Sequence, residues 1–259
     1  TDGSDVIGEE DMKLRQIALV ASNLAETRGQ FFQLLGLEDD FLDEGVGFFG
    51  LDNSVMPIGQ TFLEIVSPNR DDTTAGRLLT RRSGDGGYMV LVQVGDIAPV
   101  SIRVDRLGIR KVWETDREEV TAFHVHPKDI GAAIVSFDEM RPPEEWIWAG
   151  PGWRNRRASH VEAISGVTIQ CKDPESVARR WSEVFAKPVE WEGERFVMCL
   201  DEGLVDFVEA ADGRGDGLSA VLFDTEDIGT IKAEAEAMSL EWIDDEVELC
   251  GTRLQFREV

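Results

Sequence analysis

A strand, a helix and a run of further strands recur four times along this chain, and no other feature limits its fold so tightly. The first copy opens with "RQIALVASNLAETRGQFFQLLGLEDD" (15–40), an apolar strand followed by a helix. Asn23 punctuates the helix start and Gly36 its end, with Phe31, Phe32, Leu34 and Leu35 in the last turns. Strand-like segments follow at "GVGFFGLD" (45–52) and "TFLEIVSP" (61–68). The pattern returns at "YMVLVQVGDIAPVSIRVDRLGIRKVW" (88–113), where Asp96-Ile97 echoes Asn23-Leu24 and "LGI" (107–109) echoes "LGL" (35–37). Strands "EVTAFHVH" (119–126) and "GAAIVSFD" (131–138) complete it. A third copy begins at "ISGVTIQCKDPESVARRWSEVF" (164–185), with Trp181, Val184 and Phe185 where the first has Phe31, Leu34 and Leu35. The fourth is "LSAVLFDTEDIGTIKAEAEAMSLEW" (218–242), ending in "TRLQFREV" (252–259). Copies spaced by roughly 50–75 residues mark a repeat architecture of β-α-β-β-β units.

Between the second and third copies lies "RPPEEWIWAGPGWRNRRAS" (141–159), rich in Pro, Gly, Trp and Arg and without regular period. It divides the repeats into two pairs. The expected organisation is a first domain over 1–140 (units at about 14–68 and 87–139), a connector over 141–160 and a second domain over 161–259. A length of 259 residues suits two ordinary domains.

The formal net charge of -25 argues against nucleic acid and anionic membranes as partners, because a surface so acidic repels phosphates. Three cysteines, Cys171, Cys199 and Cys250, are widely spaced and odd in number, so neither a zinc knuckle nor a disulfide framework is indicated. The N-terminal "TDGSDVIGEEDMK" lacks the apolar core of a signal peptide, and no apolar run reaches membrane-span length. A soluble, reduced, cytoplasmic protein, monomeric or homodimeric, is expected.

One residue breaks the apolar pattern. In "TFLEIVSP", Glu64 shares a strand face with Phe62 and Val66, since side chains alternate along a strand. An ionised carboxylate there is costly unless something pairs with it.

The four units, and above all "RQIALVASNLAETRGQFFQLLGL" with "TFLEIVSP" downstream, resemble the vicinal oxygen chelate superfamily. That superfamily includes glyoxalase I, methylmalonyl-CoA epimerase, extradiol dioxygenases and the bleomycin and fosfomycin resistance proteins. "HPKDIGAAIVSF" (126–137) is similar to the last hairpin of the epimerase branch. The resemblance runs from about residue 14 to the end. It implies an α+β fold of four βαβββ modules forming two tandem domains, each a curved sheet around a cup. It also implies that a metal-dependent member draws ligands from the first and last strands of paired units. Gln16 and Glu64 take those positions in the first unit, so Glu64 would face the cup beside Gln16. The second unit offers only Met89 and Ser136, and the second pair Gly166, Asp206, Ala220 and Gln255. No cofactor is therefore expected, and the second domain reads as degenerate. If a divalent metal were bound, Gln16, Glu64 and His124 would be the ligand set.

Two histidines, His124 and His126, share one strand face near that carboxylate. They act as acid, base or substrate contacts, or else His126 caps a hairpin before Pro127 and His124 is structural. Trp113, Trp146, Trp148 and Trp153 either glue the two halves together or cover the cup and stack on a flat ligand. "RNRR" (154–157) pairs with acidic neighbours or holds a ligand anion, "LEDDFLDEG" (37–45) reads as a solvated loop, and "SGDGGYM" (83–89) as a hinge.

The expected function is a glyoxalase-like enzyme acting on a small carbonyl- or carboxylate-bearing substrate, aromatic ones included, by proton abstraction, as an isomerase or lyase. Glu64 and His124 are the expected catalytic residues, with Gln16, His126, Trp113, Trp146 and Trp148 binding substrate. The alternative is a non-catalytic protein that sequesters a hydrophobic small molecule.

Overall fold

Asn23, Asp96, Asp173 and Asp227 play one role four times. Each stands two or three residues past the end of its module's first strand, and its side chain accepts a hydrogen bond from a first-turn amide, of Glu26, Ala98, Ser176 and Thr230 respectively. This shared punctuation builds the repeat. The computed structural model describes residues 11–259, so most of the polar N-terminal stretch lies outside the described residues.

The first module comprises β1 (Met12–Val20), α1 (Leu24–Leu35), β2 (Leu51–Ile58) and β3 (Thr61–Pro68), with α2 (Thr74–Arg82) after it. The second comprises β4 (Gly86–Val94), α3 (Ile97–Arg106), β5 (Lys111–Asp116), β6 (Val120–Val125), the one-turn α4 (Pro127–Ile130) and β7 (Ile134–Met140). The third is β8 (Ala163–Cys171), α5 (Pro174–Phe185), β9 (Glu190–Glu192), β10 (Arg195–Cys199) and β11 (Leu204–Glu209). The fourth is β12 (Gly217–Thr225), α6 (Ile228–Ala237), β13 (Trp242–Ile243), β14 (Glu246–Leu249) and β15 (Thr252–Glu258).

One sheet has the order β2-β3-β1-β4-β7-β6-β5 and the other β13-β14-β15-β12-β8-β11-β10-β9. In each, the first strands of two modules meet antiparallel at the centre, and each module's last strand runs parallel to its first. The fold is α+β, two tandem domains of the expected kind. Two local expectations fail. The strand expected over 45–52 begins only at Leu51: Glu44–Phe49 is a 3-10 turn, because the Asp43 carboxylate caps Gly45 N and Gly50 closes the turn at φ 73°. Helix α2, capped by Thr73, was not anticipated, and Gly86–Met89 of the expected hinge belongs to β4.

All four central strands carry a bulge at an equivalent position. The extra residues are Arg15, Tyr88, Ser165 and Ser219, each eight positions before its module's helix cap. A bulge turns two consecutive side chains toward one face. Tyr88 and Met89 thus both line the first cup. Arg15 lies against Phe62, Trp146 and Trp153 while its neighbour Gln16 bonds Trp146.

One continuous apolar core contains convex-face residues of both sheets and the buried faces of α1, α3, α5 and α6. Phe137 of the first sheet packs against Phe185 of α5, with ring centroids 5.1 Å apart, and Gly87 lies directly against the Leu218 backbone. With that interface filled by helices, the tryptophans of the connector pack elsewhere. Trp146 and Trp153 are buried with Ala18, Phe62 and Val66 in a second apolar cluster, which is the first cup itself. They roof the cup and do not glue the halves. The basic run pairs with acids, Arg154 with Glu145 and Arg156 with Asp39. Among the described residues no helix is long and apolar enough to cross a membrane.

Candidate functional site

Strand alternation aims Glu64 of β3 and Gln16 of β1 into the first cup, and the β1–β3 register, which pairs Glu64 with Ala18 and Gln16 with Phe62, makes them diagonal neighbours. Gln16 Nε2 donates to Glu64 Oε2 at 2.9 Å, and Asn53 Nδ2 of β2 donates to Glu64 Oε1 at 2.7 Å. The far ends of both amides are also held. Gln16 Oε1 accepts from Trp146 Nε1 at 2.7 Å, and Asn53 Oδ1 accepts from the Asp43 backbone N–H at 2.8 Å. An indole and a backbone N–H can only donate, so neither amide can flip without losing a bond. Glu64 therefore receives two neutral N–H donors and, among the described residues, pairs with no arginine or lysine. Burial pushes its pKa up, against the two amides, which favour the anion.

These groups stand in a cavity of about 620 Å³ between the sheet and the connector. Its middle is apolar, formed by residues such as Leu51, Val66, Met89, Leu91 and Ile134, and the bulged Tyr88 presents a phenol to it. Burial, then the charge of Glu64, pushes that phenol up to about 12, so it stays a donor at neutral pH.

The opposite end is aromatic. His124 of β6 faces Trp113 of β5 at 4.4 Å between ring centroids and Phe49 of the 3-10 turn at 6.2 Å. Trp148 of the connector lies 6.3 Å from Trp113 and donates Nε1 to Asp138 Oδ1 of β7 at 2.9 Å. Asp138 is 1 % exposed, and its Oδ2 has no hydrogen-bond partner. Burial pushes Asp138 up to about 7, tempered by Ser136 and Trp148, and pushes His124 down to about 3.

The structure thus brings together Gln16, Glu64 and Trp146 at one end and His124, Trp113 and Trp148 at the other. His124 and Glu64 lie on strands four places apart in the sheet, an arc of about 19 Å at ~4.8 Å per strand. His126 does not join the site. It caps α4 through Nδ1, which accepts from Lys128 N, and lies outside the cavity lining. His160 bonds the Leu34 carbonyl, consistent with a structural role.

Three contributors were missed from sequence. Asp138 follows Ser136 by two residues on the same strand face, a signal that was present. Asn53 was hidden by the strand expected over 45–52, which stops short of it. Tyr88 would face outward in a regular strand and is turned in by its bulge.

Metal-dependent members of the superfamily would hold a metal at these positions, and the residues here do not fit one. Gln16 spends its oxygen on Trp146 and turns its nitrogen to Glu64, both Glu64 oxygens accept from amides, and Met89 and Ser136 hold the other two positions. The set Gln16, Glu64 and His124 is split between opposite ends of the cup. Among the described residues no three His, Cys, Asp or Glu side chains form a metal-binding group. In the second cup, Asp206 is committed to Arg195 at 2.8 Å and Gln255 to Glu246 at 2.6 Å.

Residues 17–185, more than half of the chain, match the family model described as a glyoxalase-like domain. Among solved structures, a hypothetical protein from Staphylococcus aureus is similar at TM-score 0.66 and 13% identity, over 96% of this chain and 99% of that one. A variant of 4-hydroxymandelate synthase from Streptomyces coelicolor is similar at TM-score 0.67 and 14% identity, over 90% and 76%. A variant of methylmalonyl-CoA epimerase from Streptomyces coelicolor aligns over 49% of this chain and 96% of its own, at 16% identity and TM-score 0.42. No curated protein matches the chain in sequence.

Proposed function

Because the chain belongs to the glyoxalase-like family of the vicinal oxygen chelate superfamily, we propose that it is an enzyme that removes a proton next to a carbonyl in a small organic substrate, with Glu64 as the base. The observation that carries this reading is a buried carboxylate that lines a roofed cavity, held by two amides and paired with no cation. A merely structural carboxylate at such a depth ordinarily has an ionic partner. Here the two amide bonds keep the anion in place, and burial raises its basicity, as a general base at neutral pH requires.

Each step uses this chain's own groups. Glu64 takes the proton through a lone pair not engaged by Asn53 or Gln16. The Tyr88 hydroxyl, protonated and facing the same cavity, donates to the substrate oxygen as negative charge develops on it. Gln16 orients the carboxylate. The connector covers part of the cup, so a bound substrate displaces its water, which strengthens both interactions. The same proton returned to a different carbon gives an isomerase, and loss of a leaving group gives a lyase.

Deuterium exchange into carbonyl substrates in heavy water, followed by mass spectrometry, tests the proposal. Wild-type protein exchanges the α-proton, and Glu64→Gln slows exchange by roughly 10²–10⁴. Tight binding without exchange or turnover would instead support a sequestering protein, the reading favoured by the aromatic wall.

A further inference from the structure

We propose that the Asp138 end of the cavity is an ammonium subsite, so that the molecule bound there carries a cationic nitrogen on an apolar body. The inference rests on the reading that this cavity is the ligand site, not on the chemistry assigned to Glu64. Asp138 is nearly fully buried, lines the cavity, and has an Oδ2 that accepts no well-formed hydrogen bond; the Ser136 hydroxyl, two residues back on the same strand face and close enough to favour the anion, is likewise unpartnered. A native protein seldom leaves a buried carboxylate oxygen unsatisfied, and a bound donor removes the cost.

The surroundings say which donor. His124 lines the cavity beside it with no hydrogen bond on either ring nitrogen among the described residues, and its burial keeps the imidazole neutral. A neutral imidazole has one lone pair to offer an N–H. The rings of Phe49, Trp113 and Trp148 line the cavity at this end, and an aromatic ring attracts a cation placed over its face. A carboxylate oxygen, an imidazole lone pair and three aromatic rings are all electron-rich. Trp148 and Arg117 supply the opposing N–H groups, but the Trp148 indole is spent on Asp138 Oδ1. Arg117 is exposed at the rim and bonded to Thr115.

Charge along the rest of the cavity agrees. Asp43, Glu64, Asp138 and Glu145 line it, against the single arginine. Glu145 is neutralised by Arg154, which leaves three acids. A carboxylate-bearing substrate, which the sequence left open, would meet repulsion at both ends. A cation meets none.

Isothermal titration of the full chain with three probes of one skeleton tests this: 4-phenylbutylamine, 4-phenylbutanol and 4-phenylbutyrate. The amine should bind at least ~10-fold more tightly than the alcohol, with the carboxylate weakest. Asp138→Asn should remove the preference for the amine over the alcohol. Equal binding of alcohol and amine, or preference for the carboxylate, overturns the proposal while leaving the cavity and Glu64 untouched. If none of the three binds, this proposal fails along with the assignment of the cavity. If Asp138→Asn does not fold, the wild-type series decides alone, since the order of the three affinities requires no variant. Persistence of the amine preference in a folded Asp138→Asn also overturns it.

Discussion

Trp146 Nε1 donates to Gln16 Oε1 at 2.7 Å, joining the connector to the first strand across 130 residues of sequence. The indole has no other role to play in that direction: it dictates which way the Gln16 amide points, and so presents Gln16 Nε2 to Glu64. The roof of the cup is therefore part of the carboxylate's hydrogen-bond chain.

Trp146→Phe tests that relationship. It keeps most of the packing against Phe62, 6.0 Å away, but leaves Gln16 Oε1 buried without a donor. A stability loss of about 1–3 kcal/mol is expected in denaturant melts. Turnover should fall roughly 10–10²-fold as the Gln16 amide loses its fixed direction. Unchanged turnover would show that Gln16 needs no guide.

Glu64→Gln introduces an amide where two amides already donate. Asn53 is held by Asp43 N and Gln16 by Trp146, so neither can turn its oxygen to meet the new N–H. One donor must face another, at about 1–2 kcal/mol after the relief of no longer burying a charge. Adding Asn53→Asp supplies an acceptor again, so the double variant should regain stability and remain inactive. Melting curves and exchange rates on both variants check this, and a double variant less stable than the single would refute the network.

The pH dependence of stability follows from Asp138. Its folded value of about 7 lies above the ordinary carboxyl value of 3.8, so the folded chain holds this proton more tightly than the unfolded chain. The stabilising contribution is complete below about pH 4, declines as pH rises, and is gone above about pH 7. Its full size is on the order of 4 kcal/mol, from 1.36 kcal/mol per pH unit. Asp138→Asn should flatten the decline between pH 4 and 7 when its urea midpoints are compared with wild type. Parallel profiles would refute the assignment.

Gly87→Ala tests the joint between the domains. A Cβ there would collide with the Leu218 carbonyl and side chain, where the backbone of β12 cannot retreat without moving its sheet. A loss of about 1–3 kcal/mol is expected, as for other overpacked sites. The same substitution at Gly193, which has open space around it but a φ of 73°, should show only the smaller cost of a left-handed alanine. Thermal melts of the two variants separate contact from backbone conformation.

The repeat was legible in the sequence because it is written in local chemistry. Strand periodicity, the asparagine and aspartates that cap each helix, and the apolar last turns all act over a few residues, so they appear in the linear order. Gln16 and Glu64 were legible as partners only through the superfamily resemblance that the repeat carries, which puts them on paired strands. Tertiary structure alone decided the rest. A bulge shifts the register between two strands, so that Tyr88 turns inward against the alternation its own sequence implies. The connector's tryptophans had two available surfaces, and the helices of the second domain had already filled one. Asp138 acquired its free oxygen from the path of Trp148, and Asn53 its grip on Glu64 from a turn at Asp43. Each of these depends on where distant segments come to rest, because burial and hydrogen-bond partnership are properties of the packed chain and not of any one stretch of it.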